Sequence, residues 1–175
     1  MNGRRFAAVA VVVVSGTLAA CGSREPPRPC PEVLIPRDLG AQVKFRPGPG
    51  RDATDVEHEA RIIDFQGNCT FAWSGPATVT INVSVEVRRG PAATAPVTDV
   101  VYFAAIPRYF PNEAGKRSFP LRVEFRNNNT RVVLQEEVRL NLPLGPREPT
   151  EDYVIYLGLQ LTPDEVEFNR RRFRG

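Results

Sequence analysis

An eleven-residue stretch, Thr78-Val-Thr-Ile-Asn-Val-Ser-Val-Glu-Val-Arg88, carries the clearest structural pattern in the chain. Apolar residues occupy every second position, and polar or charged residues lie between them. A period of two residues is that of a β-strand, because successive side chains point to opposite faces of the sheet. The stretch therefore predicts a long strand with one buried face and one face in water.

Similar but shorter patterns flank this strand on both sides. Further main strands are predicted over residues 56–65, 69–73, 97–106, 119–125, 132–142 and 153–161, with short candidates over 32–35 and 41–46. Gly67-Asn68 is predicted to be a turn, and the three asparagines from Asn127 a hairpin turn, because Asn tolerates positive φ. A bulge near Gln135-Glu136 is predicted, since it would keep Glu136 off the buried face.

These seven main strands are separated by turn signals and have no helix between them. The pattern is typical of an all-β domain over residues 32–175, and we expect an immunoglobulin-like antiparallel β-sandwich. An eight-stranded lipocalin-type barrel is the alternative. Only residues 162–173 indicate a helix, with Thr162 as N-cap, Pro163 in the first turn and Glu165 at the capping-box position.

The N-terminal residues 1–20 have the layout of a secretory signal peptide. Arg4 and Arg5 precede an apolar run over 6–14, which is too short for a bilayer-spanning helix of about 20 residues. Small residues follow up to Leu18-Ala-Ala-Cys21, which resembles the lipobox of bacterial lipoproteins. That resemblance implies cleavage before Cys21 and acylation of Cys21. The alternative is an ordinary secretory signal with a chance cysteine.

Residues 21–31 contain several prolines and predict an extended spacer between the lipid and the domain. Gly22, not Asp, follows Cys21, which favours the outer membrane under enteric-type sorting. We therefore expect a lipid-anchored protein of the cell envelope that faces the periplasm. Covalent lipid on Cys21 is the one attached group expected, with no other cofactor.

The three cysteines divide between lipid and disulfide. If Cys21 is acylated, Cys30 and Cys69 remain in a chain sent to an oxidising compartment, where a disulfide between them is expected. A reduced pair or a metal site are the alternatives, and the single histidine of the chain makes a metal site a poor one.

Several short motifs across the mature chain resemble those of a group of envelope lipoproteins of Gram-negative bacteria. They are the lipobox, Cys30-Pro31, Gly50-Arg51-Asp52 with Asp55-Val56, Cys69, Arg89-Gly90-Pro91-Ala92, Tyr102-Phe103, Gln160-Leu161-Thr162-Pro163 and Phe168-Asn169-Arg170. The resemblance implies class and location. It transfers no activity and no site residue.

Charge and motifs disfavour several functional classes. Without Arg4 and Arg5, the 23 Lys and Arg become 21 against 20 Asp and Glu, so nucleic acid is not an expected partner. No nucleophile elbow, zinc-protease motif or phosphate loop occurs in the sequence. His58 is aligned with Val56 and Ala60, which predicts a packed, hydrogen-bonded histidine. No catalytic residue is assigned, and a hydrolase with an unusual site built on His58 is the residual alternative.

Two charged clusters are candidate contact sites. Asp52, Asp55 and Glu57, followed by Glu59, offer the hard oxygen ligands that Ca²⁺ prefers, but their spacing matches no defined calcium loop. The arginines of the C-terminal helix could meet an anionic surface, although a solvated helix end is the simpler interpretation. They are Arg170, Arg171, Arg172 and Arg174.

Two functions follow as hypotheses. The first is a non-enzymatic lipoprotein that acts as a structural or assembly partner of another envelope protein. The alternative is a ligand- or glycan-binding β-sandwich module presented in the periplasm.

Overall fold

The computed structural model describes residues 28–72, 76–145 and 148–174, and these fold as two packed β-sheets with one C-terminal helix. The predicted signal peptide, Cys21 and the predicted spacer up to residue 27 lie outside the described residues. The strands are β1 Val33–Leu34, β2 Ala41–Phe45, β3 Val56–Phe71, β4 Ala77–Arg89, β5 Val97–Ala105, β6 Lys116–Glu124, β7 Arg131–Leu142 and β8 Ile155–Leu159; the helix α1 is Pro163–Phe173.

The strands form two four-stranded sheets. Sheet I has the order β1-β8-β5-β6, and sheet II the order β2-β3-β4-β7. All pairings are antiparallel except that of β1 with β8. The predicted all-β sandwich is confirmed. The strand order differs from the seven-stranded, constant-type immunoglobulin order, which places no three consecutive strands side by side, whereas β2, β3 and β4 are neighbours here.

The core lies between the two sheets, and β4 is its centre. The alternate residues from Val79 to Val87 are fully buried and pair with β3 on one side and β7 on the other. Sheet I contributes the opposing side chains, which are Val100, Tyr102, Leu121, Val123, Ile155, Leu157 and Leu159. Burying each such side chain stabilises the fold by about 1.5–3 kcal/mol relative to exposure.

The prediction of a turn at Gly67-Asn68 is wrong, because both residues lie inside the long strand β3. Gly67 pairs with Ile81 in an uninterrupted strand, and the irregularity lies between Ile62 and Asp64 instead. A bulge at that place shifts the alternation by one residue, so even positions face the core before it and odd positions after it. This shift carries Phe65 and Cys69 onto the core side of the sheet.

The bulge predicted on β7 is absent. β7 pairs with β4 in continuous register, and Glu136 lies opposite the buried Val83. Glu136 therefore lies on the face of β7 that is directed toward the core, although its side chain is exposed at the rim of the sheet. β7 is an edge strand of its sheet, and an inward-pointing charge on such a strand opposes edge-to-edge association with another chain.

The asparagine-rich turn has the predicted backbone but a different role. Asn127 and Asn128 have φ values of 53° and 60°, as expected for left-handed positions. The flanking strands β6 and β7 belong to different sheets, so the turn is not a hairpin. It carries the chain from one layer of the sandwich to the other.

The predicted C-terminal helix is confirmed and packs on β2. Thr162 and Glu165 form a reciprocal capping box at its N-terminus. Asn169 is 1% exposed and donates from Nδ2 to the carbonyls of Asp38 and Ala41. Phe168 meets Phe45 edge-on at 5.2 Å. The helix therefore covers the outer edge of sheet II.

Candidate functional site

The described chain begins at one end of the sandwich, which we call the tether end because the predicted spacer precedes it. Cys30 and Cys69 form a disulfide there, with 5.7 Å between their Cα atoms, so the predicted disulfide is confirmed. β1 then runs parallel to β8, and Val33 lies beside Ile155. The first described residues are thus fixed covalently to the longest strand and by backbone hydrogen bonds to sheet I.

Arg28 extends the attachment two residues before the disulfide. Its guanidinium lies 4.6 Å from the ring centroid of Phe71, at the end of β3. Its Nη2 also donates to the carbonyl oxygen of Glu148. A planar cation of this kind binds an aromatic face and a carbonyl at once, which a lysine does less well. Arg28 therefore connects the start of the domain to the loop before β8.

Glu148 organises that loop. Its carboxylate accepts a hydrogen bond from the Tyr153 hydroxyl and another from the Gly145 amide, and Arg108 lies 3.2 Å away. The Tyr153 hydrogen bond and the Gly145 amide hold the pKa of the Glu148 carboxyl below its usual value. Arg108 also lies 4.8 Å from the Tyr153 ring centroid. The network joins the loop after β5 to the loop before β8.

The loop after β5 presents a single large aromatic side chain at the tether end. Its backbone is closed by successive turns, with Phe110 N donating to Pro107 O, Asn112 N to Tyr109 O and Gly115 N to Asn112 O. Phe110 is 79% exposed at the tip. Leaving a phenylalanine side chain in water forgoes about 1.5–3 kcal/mol relative to burying it.

The helix arginines have different surroundings in the structure. Arg170 is paired with Asp38 at 3.1 Å, and this hydrogen bond lowers the pKa of the Asp38 carboxyl. Arg171 lies 3.8 Å from Glu167, and Arg172 lines a charged cleft on sheet II. Arg174 lies near Arg170, one helical turn away. Their joint contact with an anionic surface stays a prediction.

Two residues of the acidic cluster stabilise the loop before β3. Asp55 is buried and pairs with Arg46 at 2.6 Å. Asp52 accepts from the Thr54 amide at 2.9 Å, which caps the short 3-10 turn. Within the described part of the chain, no group of three or more His, Cys, Asp or Glu side chains is placed to hold a metal ion. Asp52, Asp55 and Glu57 are therefore not brought together as a cation site.

His58 is a packed residue, as the strand alternation predicts. It is 5% exposed, and its Nδ1 lies 2.9 Å from the Thr98 hydroxyl. Phe125 and Val97 line a small cavity of about 210 Å³ beside it. Burial, with Lys44 nearby, lowers the pKa of the imidazole, and Glu165 opposes this shift. The neutral form of the ring is thereby favoured in the folded protein.

We expect this histidine to make folding stability fall in mild acid. The unfolded chain takes up its proton near pH 6.5, whereas the folded protein resists protonation until a lower pH. Stability should therefore decrease as the pH falls below 6.5, by at most about 1.4 kcal/mol per pH unit. His58→Gln should flatten this slope between pH 7 and pH 5.5 in urea unfolding. An identical slope in both proteins would contradict the assignment.

A shallow polar surface lies on the outer face of sheet II. It has a volume of about 370 Å³ and carries amide, hydroxyl and carboxylate groups. Its outer-face residues are Asp64, Gln66, Asn82, Ser84, Gln135 and Glu137, and Glu136 of the edge strand β7 borders it. Groups of these types bind sugar hydroxyls or polar peptides through hydrogen bonds.

The features of the tether end were not all visible in the sequence. The disulfide followed from cysteine counting, but the contacts of Arg28 and Glu148 join residues 120 positions apart and have no local signal. The segment from Tyr109 to Gly115 has the composition of a turn, which does not indicate that Phe110 is exposed. In the described residues, no helix is both long enough and apolar enough to cross a membrane.

No protein family, curated protein or solved structure was found to match the chain.

Proposed function

We propose that this protein is a lipid-anchored, non-enzymatic lipoprotein of the bacterial cell envelope, which holds a β-sandwich at a membrane as a structural or assembly partner. The observation that supports it best is the Cys30–Cys69 disulfide. This bond uses two of the three cysteines and leaves Cys21, in its lipobox-like context, as the one thiol for acylation. A disulfide also fits an oxidising compartment.

The attachment of the tether suits a protein that carries load or holds a position. The disulfide, the Arg28 contacts and β1 fix the start of the domain to both sheets. A force on the anchor would then be transmitted directly to β3 and β8. It would not first detach the N-terminal segment of the domain. Acyl chains bind bilayers by about 0.8 kcal/mol per buried CH₂, so two or three chains give stable attachment.

The second candidate is a binding module that uses the polar surface on sheet II for a glycan or polar ligand. Its amide and hydroxyl groups favour this candidate, and its shallow shape favours an extended ligand over a small enclosed one. Co-sedimentation of the protein with purified peptidoglycan would support the binding module. Cross-links confined to one envelope protein would support the assembly partner.

Cys21→Ala should abolish membrane attachment. Without the thiol there is no acyl acceptor, so the protein should move from the membrane fraction to the soluble fraction or remain as unprocessed precursor. The measurement is fractionation of cells grown with an alkyne fatty acid, with click labelling of the protein. Ser23→Ala, two residues away, is the matched control and should stay labelled and membrane-bound. A labelled, membrane-bound Cys21→Ala protein would overturn the proposal.

A further inference from the structure

The tether end carries an exposed aromatic side chain on an ordered loop. Phe110 protrudes from the loop after β5, and hydrogen bonds between Pro107 and Gly115 close that loop beneath it. The neighbouring Tyr109 packs on Tyr153 at 5.6 Å between ring centroids. Phe110 is therefore the exposed side chain of a loop whose backbone is closed by hydrogen bonds and whose neighbouring tyrosine is packed.

The position of the tether restricts what this side chain can meet. Cys21 precedes Arg28 by seven residues, which can span at most about 25 Å. The sixteen residues of β3 extend about twice as far. If Cys21 is acylated, the tether end stays within reach of the bilayer surface, whereas the opposite end of the sandwich does not need to approach it.

Two cations of the loop that carries Phe110 have partners within the protein. Arg108 is paired with Glu148 and Asp152, and the Lys116 amine donates to Gln160 Oε1 and lies 4.4 Å from the Phe103 ring centroid. Phe110 itself carries no charge. A contact made here would be apolar, would form on zwitterionic bilayers and would persist in salt.

We propose that Phe110 is a second membrane contact, inserted into the interfacial region of a phospholipid bilayer beside the acylated Cys21. The inference rests on the proposed lipid anchor. It adds that the tether end of the domain rests against the bilayer. The orientation of the domain is then restricted, and the spacer does not let it rotate freely. The phenyl ring has no polar group, so it belongs at the boundary between headgroups and acyl chains, where Phe, Trp and Leu of interfacial segments are buried.

The test uses the chain from Cys21 to Gly175, which contains all the described strands and the helix. Its free Cys21 thiol is coupled to a maleimide lipid in phosphatidylethanolamine and phosphatidylcholine vesicles, while Cys30 and Cys69 stay oxidised. Coupling by chemistry keeps this experiment independent of acylation in cells. Failure of cellular lipidation and failure of the Phe110 contact are then separate results.

Phe110→Trp in a Trp73→Phe background gives the protein a single indole at the loop tip, since Trp73 is the chain's one tryptophan. Brominated acyl chains should then quench its fluorescence by about half, with little change at about 0.5 M salt. Val133→Trp in the same background is the control, because Val133 is 41% exposed on the outer face of sheet II. It should be quenched by aqueous iodide and not by bromolipid.

Quenching of Phe110→Trp alone supports the proposal. Equal quenching of both variants shows a domain lying flat, and no lipid quenching of either shows a freely held domain; both results overturn it. Protection of Phe110→Trp from iodide without lipid quenching identifies a protein contact instead and also overturns it. Should Trp73→Phe unfold the chain, the same comparison is made with Trp73 retained, as the excess quenching over the parent protein.

Discussion

Replacing both Cys30 and Cys69 with alanine is expected to lower the free energy of unfolding by about 4 kcal/mol. The two residues are 39 positions apart, so the disulfide closes a long loop and restricts the unfolded chain. In the folded protein the same bond holds the first described residues on the end of β3. Its loss should also release the Arg28 contacts with Phe71 and Glu148.

Urea unfolding of the oxidised protein and of the double variant measures this loss. Cys21→Ala is the matched control, because it removes a cysteine without touching the disulfide and should leave the midpoint unchanged. A double variant that unfolds at the same urea concentration as the parent protein would contradict the structural role of the bond.

Gly90→Ala should destabilise the sandwich by at least about 3 kcal/mol. A Cβ atom at Gly90 would lie 2.1 Å from the carbonyl oxygen and 2.7 Å from the carbonyl carbon of Val56. These are main-chain atoms at the start of β3, and they cannot move aside as a flexible side chain can. The amide of Gly90 donates to Glu57 O and that of Ala92 to Val56 O, so the clash falls in a hydrogen-bonded crossing of two segments.

Gly67→Ala is the matched control, with the opposite sign. A Cβ atom there meets nothing closer than 3.9 Å, and Gly67 lies inside β3. Alanine should raise the free energy of unfolding by roughly 0.5–1 kcal/mol, because glycine loses more conformational freedom on folding. Thermal unfolding of both variants decides the matter. A tolerated Gly90→Ala would show that the close approach to Val56 is wrong.

The sequence predicted the parts of the fold that have strong local patterns. β4 follows from eleven alternating residues, and α1 from its capping box and the proline in its first turn. The disulfide followed from the cysteine count once Cys21 was assigned to lipid. Each of these rests on one short segment or on simple counting, so no knowledge of the other strands was needed.

The errors arose where tertiary pairing overrides local composition. Gly67-Asn68 has turn composition, but continuous pairing with β4 keeps it extended. Glu136 breaks the alternation of β7, and the structure accepts it because β7 is an edge strand. The order of the strands has no local signal at all, which is why the sandwich was predicted and its connectivity was not.

Candidate sites were harder to predict, because a run of charged residues in the sequence does not show which residues will form ion pairs with it. The helix arginines form one run in the sequence, yet Asp38 and Glu167 pair with two of them. The acidic cluster looked like a set of ligands, yet Arg46 neutralises its buried member Asp55. Phe110 had no signal, since its exposure depends on the turns that close its loop.

The most direct test of the proposed lipid anchor is the intact mass of the protein extracted from membranes with detergent. We predict a chain that begins at Cys21 and is heavier than its amino-acid sequence by a diacylglyceryl group, with or without a further acyl chain. Two hydrogens should be missing for the Cys30–Cys69 bond. An unmodified chain, or one that begins at another residue, would contradict the account.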